Sequence, residues 1–296
     1  MEYIEAKTIV TRNKSNSWFG YDYTMNIYRG CNHSCIYCDS RCSCYKVTNF
    51  DQVAAKENAL LLIRNDLRRK AKTGVICSGA MSDPYNIFEK DLKLTRNALE
   101  LINAYQFGIG LITKSDLVTR DIDILSDIQT HSPVIVKSSI TTCDDVLSRK
   151  LEPNAPPSSK RFEAIKKLTD ANIFAGVLLM PVLPYIEDNE TNIEGIIDMA
   201  IESGAKFIFP RLGVTLRGNQ KQYYFDKLDE LFPGIKEKYI SHYHNKMYCN
   251  SANTRKLMRI IRTRCNKYGI LCDMKSIIKA FRKGYENPQL SLFDKK

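Results

Sequence analysis

Three cysteines carry the strongest chemical signal in the chain. Cys31, Cys35 and Cys38 stand in C-x3-C-x2-C spacing within YRGCNHSCIYC. Three thiolates held that closely suit an iron–sulfur cluster or a zinc ion. On a cubane of four irons, three protein ligands leave one iron open to a small molecule that brings an amine and a carboxylate. Cys42 and Cys44 follow, and either one would supply a fourth thiolate and close a structural zinc site instead. Five of the ten cysteines thus fall within fourteen residues. The start, MEYIEAKTIV, lacks a secretory hydrophobic segment, so a reducing cytoplasm is expected, where clustered thiols serve metals or catalysis. Cys77, Cys143, Cys249, Cys265 and Cys272 are scattered and read as small buried hydrophobes. His242, His244 and Cys249 form a loose H-x-H-x4-C group without an evident fourth ligand.

The elements that must position the cysteine loop alternate between short β-branched or aliphatic runs and longer stretches of helical period. That is the rhythm of βα units around a parallel sheet. Strands are expected at 24–29, 75–80, 108–113, 134–140, 173–180 and 206–211, and helices at 51–72, 89–105, 121–130, 160–171 and 191–203. Six such units fall short of a full eight-stranded barrel. The chain has 296 residues, 44% hydrophobic and 26% charged, with no apolar run long enough for a bilayer. This composition excludes membrane-spanning, fibrous and wholly disordered classes.

Charge is distributed unevenly. Residues 1–210 hold 25 Lys+Arg against 26 Asp+Glu, while residues 211–296 hold 19 against 7. The basic last third is expected to be mainly helical, most clearly at 252–268. There Leu257, Ile261, Cys265 and Tyr268 form an apolar stripe, and Arg255, Arg259 and Arg262 lie on another face. Such an excess points to a polyanion partner, most simply nucleic acid, with those three arginines as phosphate contacts.

The cysteine spacing, the aromatic Tyr37 before the third cysteine and the place of the motif after the first strand resemble the radical S-adenosylmethionine (SAM) superfamily. The segments YRGCNHSCIYCDSRC, SGAMSDPYN, ITKSDLVTRDIDIL, SSITTCDDVLSRKLEPNAPPSSKRFEAI, MPVLPYIEDN and FPRLGVTLR stand in an order similar to the spore-photoproduct-lyase-like branch. The resemblance runs from about Thr24 to Arg217 and is nearest to uncharacterised bacterial members of that branch. It implies an α/β fold, a partial (βα)6 TIM-like barrel at 24–211. An N-terminal arm at 1–23 precedes it, a basic, mainly helical region at 212–284 follows, and a flexible tail at 285–296 ends the chain.

The resemblance also implies residue roles. Cys31, Cys35 and Cys38 would hold a [4Fe–4S] cluster whose fourth iron chelates SAM. Reductive cleavage of SAM would give a 5′-deoxyadenosyl radical that abstracts hydrogen from substrate. Tyr37 would lie near the adenine as the catalytic candidate. Ser82 and Asp83 stand where the family binds the SAM amino group, and Lys114 resembles a lysine that meets its carboxylate. Ser139 would hydrogen-bond ribose or carboxylate, or simply the backbone. Arg161 would clamp the carboxylate in a bidentate fork or pair with Glu152. An electron donor such as ferredoxin or flavodoxin is implied as well.

The expected activity is a radical SAM enzyme acting on DNA, a lesion above all. The alternatives are an RNA or peptide substrate, or a non-enzymatic metal module. Photoproduct lyase carries a hydrogen-donating cysteine where this chain has Ala80, and a tyrosine where it has Asp39. Strand alternation would turn Cys77 to the other face. In the tail, Gln289, Leu290, Leu292 and Phe293 of QLSLF match the peptide with which bacterial repair proteins dock on the DNA sliding clamp.

Overall fold

The computed structural model describes residues 1–285; the QLSLF residues Gln289, Leu290, Leu292 and Phe293 lie outside the described residues. The chain opens with β1 (Glu2–Ile4), β2 (Val10–Arg12), β3 (Tyr23–Met25), β4 (Tyr28–Arg29) and β5 (Ala54–Lys56). Alternation then sets in: α1 (Ala59–Arg68), β6 (Val75–Ser78), α2 (Glu89–Leu92), α3 (Leu94–Ala104), β7 (Gly108–Thr113), α4 (Ile122–Gln129) and β8 (Val134–Ser139). It continues through α5 (Asp145–Leu151), α6 (Ser158–Asp170), β9 (Ala175–Leu179), α7 (Glu190–Glu202) and β10 (Ile208–Pro210). The last part holds β11 (Gly213–Thr215), α8 (Gly218–Leu231), α9 (Ile235–Tyr243), β12 (Tyr248–Asn250), α10 (Thr254–Tyr268) and α11 (Met274–Arg282).

The main sheet runs β10-β9-β8-β7-β6-β3-β2. Its successive pairs from β3 to β10 are parallel, and β2 closes one edge antiparallel. Six parallel strands with helices outside them make the partial (βα)6 barrel. Among the described residues no helix is long and apolar enough to cross a membrane.

The strand expected at 24–29 divides in two. Tyr23–Met25 stays in the main sheet, while Tyr28–Arg29 leaves it to pair antiparallel with β5. The helix expected from residue 51 therefore begins only at Ala59, because Ala54–Lys56 is strand, held between β1 and β4. The helix expected at 89–105 breaks at Lys93, which adopts φ 52. The seven-residue α5 emerges where the sequence showed no period; Asp144 caps it by accepting from Val146 N at 2.7 Å. The basic third is not wholly helical, since β11 and β12 pair within it.

Outward strand residues such as Ile109, Leu111, Val134 and Val136 pack under the helices. Inward residues fill the lumen: Cys77, Ile135 and Phe207 meet Phe19 and Tyr21 from the segment before β3. Tyr21 fits because Gly110 faces it; a Cβ there would lie 2.3 Å from the ring. Cys77 thus faces the lumen and not the far side. The strand ends at Ser78, so alternation does not carry on to Ala80. Helix α11 closes the lumen at the N-terminal strand ends. Its Ile277 and Phe281 join the same cluster, and Arg282 bonds Asp22, which caps Val75 N at 2.9 Å. Helix α10 packs on α7 through Leu257, Ile261 and Cys265, whereas Tyr268 of the expected stripe is 46% exposed.

Lys137 also points into the lumen. It is fully buried, donates to the Tyr21 hydroxyl and lies 4.9 Å from the Phe19 ring centre. Burial pushes its amine well below the ordinary lysine value of 10.5. The unfolded chain therefore binds that proton more tightly, and folding is penalised until the pH rises toward 10.5. A Tyr21→Phe/Lys137→Met variant removes the amine together with its hydroxyl partner. It should be more stable near neutral pH by about 1–3 kcal/mol. That gain should shrink as urea unfolding is repeated at rising pH; a gain independent of pH would refute the assignment.

Candidate functional site

The cysteine loop hangs from the β4–β5 pair. Arg29 opposes Ala54 there, so the segment between them leaves and returns at one point. Gly30 makes the pinch possible, at φ 77, where a Cβ would lie 2.3 Å from the Gln52 carbonyl oxygen. Cys31 N donates to Phe50 O at 2.8 Å, and Ile36 N to Leu151 O at 3.0 Å. The loop is thereby fixed both to its own base and to the end of α5.

Cys31, Cys35 and Cys38 line one cavity of about 340 Å³ at the C-terminal strand ends. Gly79, Ser82, Lys114 and Ser139 complete much of its wall. Gly79, at φ 100, cannot carry a side chain, since a Cβ would meet Ile112 O at 1.9 Å. The backbone of β6 thus turns directly into the cavity wall. Burial pushes the Cys31 thiol up to about 12 and raises Cys35 and Cys38 as well. Such thiols ionise only beside a compensating positive charge, which a bound metal centre supplies.

Thiolates on a single zinc, bonded at about 2.3 Å, lie roughly 3.8 Å apart. Among the described residues no three His, Cys, Asp or Glu side chains gather closely enough for a single ion. Cys42 turns instead toward α8, its sulfur 3.6 Å from a Cβ built at Gly218, and Cys44 is exposed. Neither joins the three in the cavity wall. The donor set fits a cluster with three protein ligands and corrects the closed-zinc alternative.

Asp83 is committed to the strand ends. It accepts from Thr113 Oγ1 at 2.7 Å, Lys114 N at 2.8 Å and Tyr85 N at 2.9 Å. Its second oxygen lies 3.4 Å from Nδ1 of His33, a ring held neutral by burial. Ser82 Oγ donates to Gly30 O, tying the SDPY turn to the pinch of the loop.

Three of the remaining candidates meet at a residue the sequence did not single out as functional. Glu152, at the end of α5, is 2% exposed. Tyr37 donates its hydroxyl to Oε1, Lys114 Nζ stands 3.7 Å from the same oxygen, and Arg161 pairs with Oε2. Burial opposes the Glu152 charge, but Arg161 and Lys114 beside it hold the carboxyl below its usual range. Arg161 does not reach the cavity as a bidentate clamp. Its Nε donates to Pro156 O at 2.7 Å and its Nη1 to Ser139 O at 2.8 Å. Once α5 places a carboxylate there, the guanidinium is used up on protein groups.

A second chamber of about 360 Å³ shares Cys38, Lys114 and Met180 with the first. Tyr37, Asp39, Arg211, Thr215, Arg217 and Tyr248 are on its wall. Asp39 holds Arg217 by two bonds of 2.8 and 2.6 Å. Arg211 is exposed and has no ion-pair partner among the described residues, and Tyr248 is 56% exposed. Arg255, Arg259 and Arg262 are exposed too, but on α10 along the outer flank beside α7, in the wall of neither chamber. His242 meets the Tyr185 hydroxyl and stacks on Tyr243, while Cys249 is buried.

The sequence matches the pattern that defines the Radical SAM superfamily over residues 25–198. More than half of the chain is covered, and the protein belongs to that superfamily, whose cofactors are a [4Fe–4S] cluster and SAM. An uncharacterised protein of Mycobacterium tuberculosis is 27% identical over 235 residues, covering 77% of this chain and 69% of that protein. One of Methanocaldococcus jannaschii is 35% identical over 175 residues, covering 58% and 64%. Among solved structures, a spore photoproduct lyase variant with bound AdoMet and dinucleoside spore photoproduct superposes with a TM-score of 0.65. It is 14% identical, over 91% of this chain and 81% of that one. The fold is that of the photoproduct-lyase-like branch.

Asp83→Ala would strand the buried donors of Thr113, Lys114 and Tyr85. It should cost roughly 3 kcal/mol or more, read as a lower denaturant midpoint in the apo-protein. An unchanged midpoint would show that these bonds do not hold the strand ends.

Proposed function

We propose that the protein is a radical SAM enzyme acting on damaged DNA, with its reducing centre held by Cys31, Cys35 and Cys38. The observation that carries this is the pair of connected chambers, one walled by the three cysteines and the other by Arg211, Arg217 and Tyr248. The bound cluster supplies the electron that cleaves SAM and so generates the hydrogen-abstracting species. The chain's own residues bind and orient. The Gly79–Ser82 backbone would accept from the SAM amino group, Lys114 would face its carboxylate, and Tyr37 would flank the adenine. Lys114 lies in both walls and so marks where SAM would meet substrate.

The second chamber suits a nucleotide drawn out of a duplex. Arg211, which has no ion-pair partner among the described residues, would meet phosphate, with Arg217 held beside it by Asp39, and Tyr248 offers an exposed ring for stacking. Through β11 and its flanks the positions Arg211, Gly213, Thr215 and Arg217 alternate in RLGVTLR, a signal the charge count alone did not resolve. The solved structure holding a dinucleoside photoproduct in the same fold supports this substrate class. Ala80 in the cavity wall and Asp39 bound to Arg217 point to a different hydrogen return from that of photoproduct lyase. The QLSLF peptide would recruit the enzyme to a sliding clamp, and a ferredoxin- or flavodoxin-like donor in the cytoplasm would reduce it.

Three outcomes are expected. Alanine at Cys31, Cys35 or Cys38 should abolish iron and sulfide binding on anaerobic reconstitution, while alanine at Cys42 or Cys44 should leave both intact. The reconstituted protein, given SAM and a reductant, should form 5′-deoxyadenosine faster with UV-irradiated DNA than with intact DNA. Arg211→Ala should reduce that stimulation about tenfold, the loss of one well-made phosphate contact of about 1.4 kcal/mol. Formation indifferent to any DNA would remove the proposed substrate and leave the radical chemistry standing.

A further inference from the structure

The proposed site rests on Lys114, a cation on a flexible four-carbon stem. A point charge on such a stem is useful only where something fixes it. We infer that Glu152 is the positioning residue that aims Lys114 at the SAM carboxylate, an inference that rests on the reading of the cavity as a SAM site.

The geometry is unusually complete around this carboxylate. Its backbone is tied to the cysteine loop on both sides. Leu151 O accepts from Ile36 N at 3.0 Å, and Asn154 N donates to His33 O at 3.3 Å. Its Oε2 is taken by Arg161, which is itself pinned by the carbonyls of Pro156 and Ser139. Its Oε1 is left for Tyr37 and Lys114. Lys114 Nζ therefore meets an oxygen whose place is set by three other elements, and it rests 5.7 Å from the Tyr37 ring centre. Arg161 and Lys114 are like charges brought to one carboxylate. Without its charge, Lys114 would be repelled by Arg161 and drawn only to the sulfurs of Cys35 and Cys38. The SAM carboxylate would then face a disordered or misdirected ammonium. Glu152 lies in the wall of neither chamber, so it acts through Lys114 and not on SAM itself.

The test is equilibrium binding of SAM to the reconstituted protein, together with the change SAM makes in the electron paramagnetic resonance spectrum of the reduced cluster. Glu152→Gln should keep its iron and lose about tenfold in SAM affinity, about 1.4 kcal/mol. Lys114→Met should lose a similar factor, and the Glu152→Gln/Lys114→Met double variant should lose no more than either single one. Glu152→Gln leaves Arg161 buried without its counter-ion and can fail to fold. Glu152→Gln/Arg161→Met removes both charges and should melt near the wild type while still binding SAM about tenfold more weakly.

Losses that add in the Lys114 double variant would overturn the inference, because Glu152 would then act independently of Lys114. Wild-type affinity in the Arg161 double variant would overturn it as well, because Glu152 would then serve only to neutralise Arg161. Wild-type SAM affinity in Lys114→Met is a distinct result. It would refute Lys114 as the carboxylate contact, and the role of Glu152 would fall with it.

Discussion

The segment between Gly30 and Val53 carries the three cysteines but contains no strand and only short turns of 3-10 helix. Such a loop has no rigidity of its own, and its shape must be imposed. Two distant pieces of chain do so. Strand β5 returns beside β4 and closes the loop at its base, and the end of α5 bonds the backbone between the first two and the third cysteine. Sequence separations above a hundred residues join Tyr37 to Glu152 and Asn32 to Asn154. The geometry of the metal ligands thus depends on a helix far away in sequence, and the sheet carries that helix to the loop.

Burial makes these contacts consequential. Glu152, Arg161 and Lys114 are charged groups taken largely out of water, which is tolerable only with close counter-charges and directed hydrogen bonds. Glu152 and Arg161 have both, and Lys114 has the Glu152 carboxylate at 3.7 Å. Removing any one leaves its neighbours exposed to the full cost of desolvation, so the cluster behaves as a unit in which local changes are shared. The same logic explains Asp83, which satisfies two donors at the end of β7 and one in its own turn.

How much of this was legible depended on the range of the interaction. Cys31, Cys35, Cys38, Ser82, Lys114 and Ser139 could be read because spacing and strand ends place them, and all six line the cavity. Arg161 was left between a carboxylate clamp and a pairing with Glu152, and the structure has the pairing; the choice depends on α5, too short at seven residues to show a period. The arginines of α10 follow a correct helical period, but a period does not say which way a helix faces on the assembled barrel. Arg211 and Arg217 were hidden for the converse reason: a three-residue strand gives little alternation to detect. The first twenty-three residues resembled an arm, yet Phe19 and Tyr21 fill the barrel. The bare face of Gly110, visible in three dimensions, makes room for the Tyr21 ring.

The lumen has a further property that follows from where its pieces lie along the chain. Phe19 N contacts Met274 Sδ, and Arg282 bonds Gly20 O, so the floor joins residues 255 and 262 positions apart. During synthesis the aromatic residues before β3 emerge well ahead of the helix that covers them. Until then the nascent barrel is a tube open at its base, with Phe19, Tyr21 and Phe207 reachable from below. The order of translation thus makes α11 a late closure of the lumen, and a chain halted before residue 274 would lack the side chains of Ile277 and Phe281 that cover Phe19 and Tyr21.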